Sequence, residues 1–296
     1  MENSANKLST GVRHMLLSTF YFSIMNVFIK KVNHLPVMEL VFFRCFISFS
    51  MCYIYLTRHH ISKRGTNRGL LLARGITGTF ALYLFFVSLH EMPLGTAVTI
   101  QYMSPIFTSI IAIFYLKEKI SLSQWLFFII SFSGVLVLKG FDSRISMGVL
   151  LIGICSAFMS GISYNLIRSL KEKEHPTVVV LHFQLVGFII GLSFTIFNWK
   201  MPVWMDWIYL AIVGVMTQLA QVHMTKAFQM ERVGDISILN YLGAIYALIF
   251  GYFLFNELYS ILSLLGIVLI LGGVVMNYFY QKRLNRKSPA KNISAL

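Results

Sequence analysis

The chain has 296 residues, 57% of them hydrophobic and only 12% charged, with a mean hydropathy of +0.72, which is more apolar surface than a soluble domain of this length covers. Its formal net charge of +14 is scattered over separate polar segments, which argues against a nucleic-acid footprint. These properties predict an all-α polytopic protein whose solvent is the lipid bilayer.

Apolar runs predict ten helices, at roughly 12–31, 36–57, 69–90, 93–116, 121–139, 146–168, 177–198, 203–225, 233–256 and 259–280. Each is close to the ~20 residues that a helix rising 1.5 Å per residue needs to cross a ~30 Å hydrocarbon core. Span 1 is too long and too poorly flanked for a cleaved signal peptide. Span 2 carries Glu39 near its outer end and Arg44 near its centre. A mid-span arginine costs ~2.5–3.5 kcal/mol on insertion scales, so Arg44 faces protein or water, as an anion-holding or gating group or in a structural ion pair. Arg74, about five residues into span 3, either joins it or snorkels to the interface; Tyr83 follows. Span 4 carries Gln101, Tyr102 and Pro105, and the proline, lacking an N–H, frees the carbonyl of Gln101 and makes a candidate hinge. Ser121 with Gln124 forms a capping box that opens span 5.

Cys45, Cys52 and Cys155 lie in apolar spans, where they are expected to pack as small hydrophobes without disulfides. Tyr164 follows in span 6, His182 and Gln184 in span 7, Gln218 and Gln221 in span 8, and Asn240 and Tyr241 in span 9. Small residues repeat every four positions as Ser104/Thr108/Ala112, Gly153/Ala157/Gly161 and Gly243/Ala247/Gly251, the pattern of close helix packing. Glu118 and Glu257 end spans 4 and 9, where hydrogen bonding to the following turn is the simplest role. No zinc-ligand spacing, Walker loop, dinucleotide fingerprint, Ser elbow or HExxH pattern occurs, so neither a metal nor a cofactor is expected.

Of the 25 Lys and Arg residues, 18 lie on the side of the N-terminus and five on the other if every run crosses the membrane. The positive-inside rule then places both termini in the cytoplasm, with a basic tail at 281–296. Shifted by 139 residues, the chain also answers itself: 93–134 matches 232–273 at Gly95/Gly234, Tyr102/Tyr241, Ile106/Ile245, Ile110/Ile249, Phe114/Phe253, Glu118/Glu257, Ser121/Ser260, Leu126/Leu265 and Gly134/Gly273. Such a period is a duplication. Because each half, 12–139 and 146–280, holds five spans, an odd number, the two repeats are expected to be inverted. That geometry recurs in alternating-access transporters, and it places Gln101–Tyr102 and Asn240–Tyr241 about 6 Å on opposite sides of the midplane.

The runs Arg74-Gly75 through Ala97, Ser104-Pro105-Ile106-Phe107, Lys117-Glu118-Lys119-Ile120 and Gly134-Val135 resemble the EamA-type branch of the drug/metabolite transporter superfamily. So do the second copy at Phe255-Asn256-Glu257-Leu258, with Gly266 and Gly272-Gly273, and the stretch from Glu39 to Arg44. The resemblance implies ten helices around a cavity bounded mainly by spans 1, 3, 4, 6, 8 and 9, and movement of small organic metabolites. The second copy lacks the Ser104-Pro105 proline, so the two gates need not be equivalent. The expected function is secondary transport, as export, of a small polar, amino-acid-like solute across a bacterial inner membrane by a monomer or homodimer. Arg44, Arg74, Tyr83, Gln101, Tyr102, His182, Gln184, Gln218, Gln221, Asn240 and Tyr241 are the candidate solute contacts. An S-adenosylmethionine-type exchanger is the alternative within this class; an intramembrane enzyme or scaffold is the alternative outside it.

Overall fold

The computed structural model describes residues 9–116, 121–142, 144–171, 173–230, 239 and 241–287, with only the backbone at 112–116, 141, 281, 282 and 284–287. Eleven helices occupy them: α1 Thr10–Lys31, α2 Val37–Arg58, α3 Arg68–Glu91, α4 Leu94–Gln101, α5 Ser104–Leu116, α6 Leu122–Phe141, α7 Met147–Ser169, α8 Pro176–Thr195, α9 Trp204–Met230, α10 Tyr241–Phe255 and α11 Ile261–Lys287. Among the described residues nine stretches are long and apolar enough to cross a membrane, with Leu94–Ile111 counted as one, and Tyr241–Phe255 adds a shorter apolar helix. This is a multi-pass membrane protein, all-α, with about ten spans.

Local chemistry sets the helix boundaries. The hydroxyls of Ser9 and Ser146 accept the N–H groups of Val12 and Val149 at 3.2 Å and start α1 and α7. The Ser121–Gln124 capping box expected at the start of span 5 is present, with both reciprocal bonds, and it satisfies N–H groups that the first turn leaves orphaned. Span 4 is not continuous. It breaks at Tyr102–Met103, and Pro105 stands in the first turn of α5, where a missing N–H is tolerated.

The tightest pairings are α1 with α9, α2 with α8, α3 with α7 and α6 with α11, and α10 packs on α4 and α1. At the α6–α11 seam a Cβ added to Gly134 would meet the Gly266 carbonyl and the Ile270 amide, while one at Gly273 would meet the Phe127 carbonyl and the Ser131 amide. These contacts advance along one helix as they retreat along the other, so the two run antiparallel with touching backbones. The small-residue stripes act likewise: Gly161 lies against the Phe107–Thr108 backbone, and Gly243 makes room for Tyr102. Outward-facing Leu122, Phe197, Trp204 and Ile261, each more than four-fifths exposed, give the bundle an apolar surface that only lipid suits. Cys45 and Cys52 are buried as expected, but Cys155 faces outward.

Candidate functional site

A cavity of about 110 Å³ lies among the helices. α1 contributes Asn26, α2 Arg44, α3 Arg74 and Gly78, α4 Gln101 with Tyr102 just beyond it, α7 Ser160, Ser163 and Tyr164, α8 Phe183 and α9 Gln221. The spans that the resemblance implied are therefore present apart from span 9, and spans 2 and 7 join them.

Both arginines are almost fully buried, at 1% and 3% exposure. They share the ring of Phe183, whose centroid lies 5.5 Å from the Arg44 guanidinium carbon and 4.2 Å from that of Arg74. Phe86 offers Arg44 a second ring at 5.9 Å. Aromatic faces attract a desolvated cation, so these rings replace part of the lost hydration. The remaining contacts are sparse: Arg44 Nη1 donates to Cys45 Sγ at 3.7 Å, and neither Nε has a partner. The ion pairs among the described residues, Lys30–Glu257, His34–Asp206 and Arg144–Asp142, do not involve either arginine. Gly78 clears the space that Arg74 occupies, since a Cβ there would collide with Nη1.

Gln101 is clamped by α7, donating from Nε2 to Ser160 Oγ at 2.7 Å and accepting from Ser156 Oγ at 2.8 Å. Tyr102 meets Tyr241 edge to face, with centroids 6.1 Å apart, so the two mirrored phenols touch. Tyr241 is not in the cavity wall, and Asn240, the expected mate of Gln101, lies outside the described residues, as does Glu118. Three unpartnered acceptor atoms complete the wall: Asn26 Oδ1, Ser163 Oγ and Gln221 Oε1.

Several sequence candidates point elsewhere. Gln184 donates to Ser48 at 2.7 Å, Ser48 donates to Gln218 at 2.6 Å, and Gln218 also meets Cys52, so these groups tie α2, α8 and α9 together as interhelical glue. His182 bonds the Val178 carbonyl of its own helix at 2.9 Å, and neither it nor Tyr83 lines the cavity. Phe183, Asn26, Ser160 and Ser163 were missed, since nothing in an apolar helix marks them before their neighbours are known.

One end of the bundle carries a second polar cluster. Glu257, 7% exposed, accepts from the Leu94 N–H at 2.8 Å, from Tyr259 Oη at 2.6 Å and from Lys30 Nζ at 2.8 Å. It thus caps α4 from the end of α10, a farther reach than the expected bond to its following turn.

The two halves of the chain, residues 9–139 and 146–279, each match the EamA-like transporter family. The chain belongs to that family. It is a membrane transporter of the drug/metabolite superfamily that handles small molecules, not an enzyme. A pseudopaline exporter of Pseudomonas aeruginosa is 27% identical, over 89% of this chain and 94% of the relative. Human solute carrier family 35 member G1 is 27% identical over 83% of this chain and 73% of its own, and an S-adenosylmethionine uptake transporter of Rickettsia conorii is 25% identical over 97% and 99%. A solved crystal structure at 15% identity superposes with a TM-score of 0.70, covering 94% of this chain and 99% of the other, which agrees with the fold.

Proposed function

We propose that this EamA-family member is a secondary active transporter that exports a small polar, amino-acid-like metabolite across a bacterial inner membrane by alternating access between two inverted five-helix repeats. The observation that carries this reading is the cavity with polar and apolar walls from helices of both halves of the chain, whose Tyr102 meets Tyr241 of the second half. Support for the inverted relation comes from paired contacts at offsets of 138 to 139 residues. Ser18 donates to the Ala220 carbonyl and Ser156 to the Ala81 carbonyl, at 2.9 and 2.8 Å; these are matching bonds with the halves exchanged, one residue out of register at the serines. Gly134 and Gly273 meet equivalent backbone atoms in the same manner. Two near-equivalent halves give two near-equivalent conformations, one open to each side.

The Lys30–Glu257–Tyr259 cluster is assigned as the closed outer gate, with Tyr102 and Pro105 at the hinge of span 4. Purified protein in liposomes provides the test. Solute-dependent counterflow is expected; turnover of a solute without its transfer between compartments would overturn the transport reading.

A further inference from the structure

Resting on that transport reading and deepening it, we infer that the cavity takes a small organic acid with two anionic groups, one for each of Arg44 and Arg74. The charges demand it. The two guanidiniums share one phenyl ring and lie within about 10 Å of each other by their distances to its centroid. Each is buried to 3% exposure or less, where two like charges repel and each costs several kcal/mol unless paired. Among the described residues no carboxylate lines the cavity, and no acid is paired with either arginine.

Cation–π contact offsets only part of this cost. Both Nε atoms lack partners, and a guanidinium fork matches the geometry of a carboxylate or phosphate. In the same cavity wall, Asn26 Oδ1 and Gln221 Oε1 are unpartnered acceptors, which suit an N–H on the same solute. A site with this charge rejects cations, including the sulfonium S-adenosylmethionine. The recognised chemistry is therefore two acidic groups, both carboxylates or one a phosphate, on a compact skeleton bearing an amine.

The test is thermal melting of the full-length protein in detergent with succinate, L-aspartate, O-phospho-L-serine, L-asparagine and S-adenosylmethionine. At least one two-acid probe is expected to raise the melting temperature while asparagine and S-adenosylmethionine do not, and the order of succinate, aspartate and phosphoserine distinguishes carboxylate from phosphate. Arg44→Gln and Arg74→Gln should each weaken the protecting probe by about 30-fold or more. Equal protection by asparagine or S-adenosylmethionine, no response to any two-acid probe, or unchanged affinity in either variant overturns the inference. If a variant does not fold, the wild-type panel decides. Counterflow of the same probes separates the two readings. A two-acid probe that binds but never exchanges strikes the transport reading and leaves the anion site standing, whereas exchange of asparagine alone does the reverse.

Discussion

Glu257 and Gly78 illustrate how single positions carry this architecture. Glu257 accepts from Lys30, Leu94 and Tyr259, so Glu257→Ala leaves the half-buried Lys30 with only the Met92 carbonyl and the Leu94 amide of α4 uncapped. Breaking a buried pair on one side costs about 3 kcal/mol or more, and a matching fall in melting temperature is expected. Gly78→Ala should act on the site: its Cβ meets Arg74 Nη1 and the Phe183 ring, and overpacking of this kind costs about 1–3 kcal/mol. Solute affinity should fall with it, as read by the melting shift at saturating probe. Arg44 stood out in the sequence because an arginine deep in an apolar run is expensive wherever it points. Phe183 did not, because one more phenylalanine in an apolar helix looks like any other until its neighbours are known.

Elements obey the same division. The capping box at Ser121 was legible because its partners are three residues apart in the chain. The roles of Gln184 and Gln218 were not, because depth in a span says nothing about which way a side chain faces around the helix axis. At the α6–α11 seam, Gly134→Leu and Gly273→Leu are expected to lower stability by similar amounts, about 1–3 kcal/mol each, since each places atoms against equivalent backbone. Clearly unequal losses in thermal unfolding would argue against exchange symmetry there.

On the opposite end from Glu257, Glu174 clasps the turn before α3, accepting from the Asn67 N–H at 2.6 Å and the Thr66 hydroxyl at 2.8 Å. Burial raises its carboxyl, but these bonds outweigh that and hold it below the ordinary value of 4.5. Because the folded value is the lower one, the clasp contributes fully above that ordinary value and fades as pH falls through the folded one. Glu174→Gln should therefore flatten the acid limb of melting temperature against pH while lowering stability at neutral pH.

For the molecule as a whole, the decisive quantity is orientation in the membrane. Both termini are predicted in the cytoplasm, so reporters active only there should work at either end, and an inactive C-terminal fusion would mean an even count of spans is wrong. Length, hydropathy and charge bias determined the multi-pass helical class and the positions of the spans, because a bilayer forces every backbone polar group into helices of one minimum length. The 139-residue echo likewise exposed the duplication, which the two family matches at 9–139 and 146–279 bear out. Only the tertiary structure decided that span 4 breaks before Pro105, that Tyr102 meets Tyr241, and that Arg44 and Arg74 share a ring with no acid among the described residues beside them. Those facts depend on rotation about helix axes and on contacts between residues more than a hundred positions apart, which packing sets and local pattern leaves open.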